Sequence, residues 1–194
     1  MEQLDSMQPK EEREYVLTLQ LNARLQPFDR GDIYEDPICE ALEACGCGYT
    51  DGGGTLMQSS GEIDNCDIVI VLNENSEQNM EKLLHIINEI RVPKGSFLIS
   101  DNYRQPLGTL EGLALYLNGT ELSDEVYASC DINYVVERAN ELLAQIGSMY
   151  SHWEGAEYTA LYFYGTSFDE MKEKIHPFLL EYPLCQKCKV EKIA

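Results

Sequence analysis

The spacing of apolar residues predicts a regular alternation of strands and helices along this chain. Residues 15–23 (YVLTLQLNA) alternate apolar and polar side chains, which is the period of a half-buried strand. Residues 25–36 are predicted to form a connecting loop. Asp36 then serves as the predicted N-cap of a helix that begins at Pro37 and carries Ile38 on its apolar face.

The following segments complete one structural unit. Residues 49–63 contain several glycines and predict a hairpin, and residues 66–72 (CDIVIVL) predict a strand buried on both faces. Ser76 is a predicted cap of a second helix, in which Leu83 and its neighbours repeat at helical spacing. Residues 96–100 supply a last strand, so the order is β-α-β-β-α-β.

The same order recurs in the second part of the chain. Residues 110–117 predict a strand, and Asp131 caps a predicted helix. Residues 149–164 predict an aromatic hairpin, Ser167 begins a capping box for another helix, and residues 188–193 offer a final strand.

Two such units in tandem predict an α+β protein made of two ferredoxin-like (βαββαβ) halves with antiparallel sheets. We place a polar leader at residues 1–14, the first half at 15–104 and the second half at 105–194. Ferredoxin-like folds host many unrelated functions, so function has to be argued from a site.

Charge is the bulk property that changes this picture most. The chain has 34 acidic and 14 basic residues, a formal charge of −20, and 44% hydrophobic residues that suffice for a core. Such an excess of acid disfavours nucleic acids and anionic membranes as partners, because both require concentrated basic residues. The longest apolar runs are far shorter than the about 20 residues of a membrane span. The N-terminal residues resemble no secretory signal, so we expect a cytoplasmic protein.

One long stretch of the first half is acidic without any compensating base. No basic residue occurs between Arg30 and Lys82. A field of one sign either maintains solubility or steers a cationic partner. We expect the partner to be met by acidic residues of the first helix and by two aromatic residues, since tyrosine and tryptophan dominate binding hot spots. These predicted partner-binding residues are Asp32, Tyr34, Glu35, Asp36, Glu40, Glu43 and Trp153.

The glycine run at residues 52–54 admits two interpretations. A phosphate-binding loop needs glycines that lead into a helix N-terminus, usually with a lysine. Here the glycines lead into a strand-like segment in acidic surroundings, which favours a glycine bulge or a flexible entry to the hairpin.

The seven cysteines admit two interpretations, reduced free thiols or ligands of a structural zinc ion. Cys45 and Cys47, together with Cys185 and Cys188, offer four thiolates for a structural zinc site. The pairs lie in different halves, and with no export signal reduced thiols are the default. We therefore predict free cysteines, no disulfide, no metal and no cofactor.

No motif indicates catalysis. The three histidines lack a neighbouring nucleophile with a third, orienting group, and carboxylates are so abundant that no pair stands out as an acid and a base. We predict no catalytic residues and a protein that is not an enzyme.

Several stretches resemble segments of small acidic bacterial proteins. They are residues 52–72 with 92–100, 113–143 (LALYLNGTELSDEVYASCDINYVVERANELL) and 151–194 (SHWEGAEYTALYFYGTSFDEMKEKIHPFLLEYPLCQKCKVEKIA). Their type is similar to the immunity proteins that protect bacteria from polymorphic toxins. The resemblance implies a protein partner, a cationic toxin domain that this chain would occlude.

A second hypothesis belongs to another class of function. In this hypothesis the protein is a sensing module that binds a small ligand at the interface between its two ferredoxin-like sheets. A cationic or amphipathic ligand would suit the negative charge of the chain. A tight heterodimer with a toxin favours the immunity hypothesis, whereas a ligand-dependent shift in melting temperature favours sensing.

Overall fold

The computed structural model describes residues 14–194, which form two antiparallel sheets with helices. The first sheet has five strands in the order β2-β3-β1-β4-β5. Their bounds are Tyr15–Leu21 (β1), Gly48–Met57 (β2), Ile63–Leu72 (β3), Ser96–Ser100 (β4) and Tyr103–Leu107 (β5). The helices of this half are Pro27–Arg30 (α1), a π-helical segment Gly31–Glu35, Asp36–Ala44 (α2) and Glu77–Ile90 (α3).

The second sheet has four strands in the order β7-β8-β6-β9. Their bounds are Glu111–Asn118 (β6), Gly147–Glu154 (β7), Tyr158–Gly165 (β8) and Lys189–Lys192 (β9). The helices are Asp124–Ser129 (α4), Ile132–Leu143 (α5) and Phe168–Glu181 (α6), followed by a 3-10 turn at Pro183–Cys185. This strand order repeats β2-β3-β1-β4 of the first sheet, so both halves are ferredoxin-like and the predicted α+β fold is confirmed.

The first helical segment differs from its prediction. The predicted loop at residues 25–36 is wrong, since the backbone is helical from Pro27, and Asp36 has helical φ and ψ of −65° and −49° instead of the extended values of an N-cap. The reason is packing, because the buried face extends backward past the predicted start of the helix. Its buried members recur every four residues: Arg30, Tyr34, Ile38 and Leu42.

Three other predicted helix starts are confirmed by their caps. The side chains of Ser76, Asp131 and Ser167 accept hydrogen bonds from the backbone N–H groups of Asn79, Asn133 and Glu170. Each bond satisfies an N–H group that has no partner within its own helix, which fixes where the helix begins.

Two elements have no counterpart in the prediction from sequence. Strand β5 pairs with β4 along its whole length, so the first sheet extends across the predicted boundary at residues 104 and 105. Helix α4 lies between β6 and α5. The predicted leader, apart from Glu14, lies outside the described residues.

The two central strands of the second sheet, β6 and β8, are buried on both faces. Leu113, Leu115 and Phe163 pack with α5 and α6 in one core cluster, whereas Tyr116 and Tyr162 belong to a core cluster that is shared with the first half. The face that carries no helices therefore packs against the first half, which explains why β6 and β8 are apolar almost without interruption.

Two turns bear on the predictions for glycine and cysteine. The pairing of β2 with β3 shifts register between Thr50 and Gly53, which is the glycine bulge expected there. At the end of α2, Gly46 adopts a φ of +64°, and the turn brings the Cα atoms of Cys45 and Cys47 to 5.5 Å. These two cysteines form a disulfide in the structure, so the prediction of seven free thiols is wrong for this pair.

Among residues 14–194, no helix is both long and apolar enough to cross a membrane. The longest continuous helical stretch of this part, residues 27–44, has 18 residues and includes the π-helical segment. A bilayer-spanning helix needs about 20.

Candidate functional site

A polar cluster lies where the two halves meet. Glu62, immediately before β3, accepts hydrogen bonds at Oε1 from the hydroxyl groups of Tyr116 and Tyr162, each at 2.7 Å. Arg24, three residues after β1, forms an ion pair with the same oxygen and donates to the Tyr116 hydroxyl at 2.7 Å. We call these four residues the interface cluster.

Register explains how the two tyrosines of the interface cluster converge. Tyr162 pairs with Ala114, and Tyr116 pairs with Ala160, so both tyrosines point to the same face of the second sheet at a diagonal spacing. This face is the one that packs on the first half. The small alanines opposite the tyrosines leave space for both rings.

Burial keeps both tyrosine hydroxyls protonated. Desolvation, followed by the hydrogen bond to Glu62, raises the pKa of Tyr116 to about 12, and the same two causes also raise the pKa of Tyr162. Both groups therefore remain hydrogen-bond donors to the carboxylate throughout the physiological pH range. The two hydroxyl groups and the Arg24 guanidinium thereby fix the position of the Glu62 carboxylate.

A pocket of about 260 Å³ opens beside the interface cluster. We call it the interface pocket. It is lined by Glu62, Tyr116, Trp153, Tyr158, Lys189 and Glu191. Apart from Glu62, every lining residue belongs to the second half and lies, by strand register, on the sheet face that meets the first half.

The aromatic walls of the interface pocket are held in fixed positions. The indole N–H of Trp153 donates to the carbonyl of Gly61 at 2.9 Å, which ties β7 to the tip of the β2–β3 hairpin. The rings of Tyr116 and Tyr158 meet edge to face, with centroids 6.4 Å apart and an interplanar angle of 86°. The Lys189 ammonium lies over the Tyr158 ring, 4.1 Å from its centroid.

The acidic residues predicted to bind a partner mostly lie on the outside of the first helical segment. Asp32, Asp36, Glu40 and Glu43 are exposed, on the side opposite the buried stripe. Phe28 precedes Asp32 by one turn, and its side chain is 88% exposed. We call these five residues the acidic face.

The remaining predicted residues are placed differently. Tyr34 is fully buried and packs edge to face with Tyr150, so the prediction that it contacts a partner is corrected. Glu35 is partly buried and accepts from the Arg30 guanidinium at 3.3 Å. Trp153 is partly buried and lines the interface pocket instead of joining the acidic face.

Reasoning from sequence missed Phe28 and Glu62. Phe28 lies in the segment predicted as a loop, and a helix beginning at Pro27 would have placed it in line with Asp32. Glu62 carries no local signal, because its significance comes from residues that are 38 to 100 positions away in sequence.

The structure also places the cysteines considered for zinc. Cys185 is buried, which raises the pKa of its thiol to about 12, and it interacts with Cys188 and with Cys130, a residue that was not among the predicted ligands. Within residues 14–194 no group of three or more His, Cys, Asp or Glu is arranged to hold a metal ion.

Comparisons with known proteins add little to these observations. No protein-family model and no curated protein sequence matches the chain. A similar solved structure is that of the first two RRM domains of the yeast poly(U)-binding protein Pub1, with 9% identity, 93% of this chain and 99% of that chain covered, and a TM-score of 0.24.

Two further solved structures are similar to the same degree. One is described as a candidate glycine cleavage system transcriptional repressor (11% identity, 92% and 96% covered, TM-score 0.32). The other is described as a candidate monooxygenase from Lactobacillus acidophilus (10% identity, 92% of each chain covered, TM-score 0.30). TM-scores this low support no functional argument, and the fold assignment rests on the strand order of the two sheets.

Proposed function

We propose that this protein is a non-catalytic acidic binding protein, an immunity protein that neutralises a cognate bacterial toxin by covering a cationic surface. The observation that carries the proposal is the acidic face, where an exposed phenylalanine stands in line with four exposed carboxylates on one side of a helix. The resemblance to small acidic bacterial proteins supports the same function.

The two kinds of side chain on the acidic face have separate roles in this proposal. The carboxylates, together with the net charge of −20, attract a cationic partner and raise the rate of encounter. Phe28 provides an apolar contact that is buried only in the complex and so slows dissociation. When a partner covers a large apolar side chain that is almost entirely exposed, the burial of its surface stabilises the complex.

The test is the association kinetics of a charge-reversal variant, D32K/D36K/E40K/E43K, with the product of the adjacent gene. We expect the association rate constant to fall by about an order of magnitude or more, and the wild-type rate to fall steeply as salt rises past about 0.1 M. Glu35 is left unchanged because it pairs with Arg30.

A matched control reverses four exposed acidic residues of the second half, E137K/E154K/E173K/E181K, and changes the net charge equally. Its effect on the association rate should be clearly smaller, and F28A should mainly raise the dissociation rate. Failure to form a complex, or equal effects of the two quadruple variants, would contradict the proposal.

A second candidate function is a sensing module that binds a small ligand between the halves. The interface pocket favours it, because residues of both halves line a cavity at their junction. A ligand bound there would stabilise the folded protein, so a screen of small metabolites by thermal shift tests this candidate. Absence of any shift would leave the immunity function alone.

A further inference from the structure

We infer that the interface pocket binds an organic cation, an alkylammonium or guanidinium group. This inference deepens the second candidate function and uses the pocket on which that candidate rests. The chemistry is shared by two sources, a free amine metabolite and the basic side chain of a protein partner.

The first argument is the composition of the walls. Tyr116, Trp153 and Tyr158 supply three aromatic rings to a cavity of only about 260 Å³. The electron-rich faces of such rings attract organic cations within about 6 Å, and groups of aromatic residues are the usual site for methylated ammonium ions. The volume lies below the range of about 300–1,000 Å³ typical of drug-sized ligands, so a compact head group fits best.

The second argument is the carboxylate at the junction. Glu62 is only 8% exposed, and the described residues donate three hydrogen bonds to it, all at Oε1. Within that part of the chain Oε2 has no donor, although the residue lines the cavity. A carboxylate oxygen accepts hydrogen bonds and attracts positive charge, so a cationic N–H or ammonium group completes this site. Glu191 adds a second negative charge to the lining.

The third argument is Lys189. Its ammonium lies 4.1 Å from the centroid of Tyr158, so the pocket already holds a cation against one of its aromatic walls. Lys189 is an exposed residue on β9, at the edge of the second sheet. It acts as an internal competitor that an incoming cation displaces from the ring.

The experiment uses the full chain and its single tryptophan, Trp153, whose fluorescence reports directly on the pocket. Choline is titrated at constant ionic strength. Its neutral isostere 3,3-dimethylbutan-1-ol and the anion propionate serve as controls. We expect a saturable change in emission with choline and none with the two controls.

Variants test the proposed contacts. K189M should bind choline about two- to fivefold more tightly, since a competing cation–π contact is removed. The control K172M removes an exposed lysine that lies over a different aromatic ring, Phe168, and should leave the affinity unchanged. Y158L should weaken binding at least as much as K189M strengthens it. E62Q should also weaken choline binding. If E62Q does not fold, Y158L still tests the proposed site.

Two cationic probes distinguish a free amine metabolite from the basic side chain of a protein partner. A capped lysine peptide, compared with the same peptide containing norleucine, represents a partner's side chain. Saturation by choline alone points to a free metabolite, and saturation by the lysine peptide alone points to a protein partner; both support the inference. No saturable response to either cation, or an equal response to the neutral isostere, would overturn it.

The same measurements separate this inference from the sensing function. A neutral or anionic metabolite that raises the melting temperature while no cation binds would overturn the cation assignment and leave sensing intact. Choline binding with amide chemical-shift changes confined to the pocket would support the cation site and contradict sensing by the two halves.

Discussion

Replacing Arg24 with leucine is expected to lower the free energy of unfolding by about 2–3 kcal/mol. Arg24 forms an ion pair with Glu62 and donates to the Tyr116 hydroxyl, and the side chains of the ion pair are only 18% and 11% exposed. Loss of one partner from a fully buried ion pair costs about 3–5 kcal/mol, and the residual exposure of this pair places it below that range.

The assay is equilibrium unfolding in urea at pH 7, followed by far-UV circular dichroism. The matched control is R138L, which removes a guanidinium from the pair with Glu141, whose side chains are 43% and 65% exposed. We expect this control to cost less than about 0.5 kcal/mol, because solvent screens exposed ion pairs. The m-values of both variants should equal that of the wild type if unfolding stays two-state.

Equal losses for R24L and R138L would refute the reasoning, since burial would then not decide the energy of the pair. The double variant R24L/E62L provides a second criterion. Once the unpaired carboxylate is removed as well, stability should recover in part, as happens when a buried ion pair is replaced by apolar residues. A double variant that is less stable than R24L would show that the cost is lost packing.

Two further predictions concern acid sensitivity and the junction of the halves. Hydrogen bonds from Lys94 and from the Phe168 N–H lower the pKa of Glu111 from 4.5 to about 2, so its contribution to stability is present above pH 4.5 and is lost as pH falls toward 2. E111Q should therefore lose about 1–2 kcal/mol at pH 7 and little at pH 2, measured by urea titrations across that range; a loss independent of pH would contradict this assignment. Expressed separately, residues 1–107 and 108–194 should be poorly soluble or partly unfolded, because the shared core would be exposed; two independent melts that match the parent would refute this.

The sequence by itself determined the βαββαβ order that the two halves share, although it did not predict β5 or α4. Ser76, Asp131 and Ser167 mark helix starts, because each side chain accepts a hydrogen bond from a backbone N–H two or three residues later in the chain. The strands are marked by short segments in which apolar and polar residues alternate or in which apolar residues follow one another. Such signals are local, so one sequence without relatives suffices to interpret them. The apolar run at residues 66–72 likewise predicted the strand β3.

Only the tertiary structure decided what those faces pack against. The helical segment begins at Pro27 because Arg30 and Tyr34 are buried in the folded protein, and no local cap announces that start. The same burial removes Tyr34 from the acidic face.

The interface cluster and pocket depend on the docking of one half on the other. Glu62 meets Tyr116 and Tyr162, residues 54 and 100 positions later in the sequence, because the helix-free face of the second sheet covers the hairpin tip of the first. Periodicity reports that a face is apolar, but the identity of the surface that covers it is a property of three-dimensional packing. For this reason the sequence predicted two ferredoxin-like halves and suggested a ligand site between them, whereas the structure alone showed which residues form the pocket there.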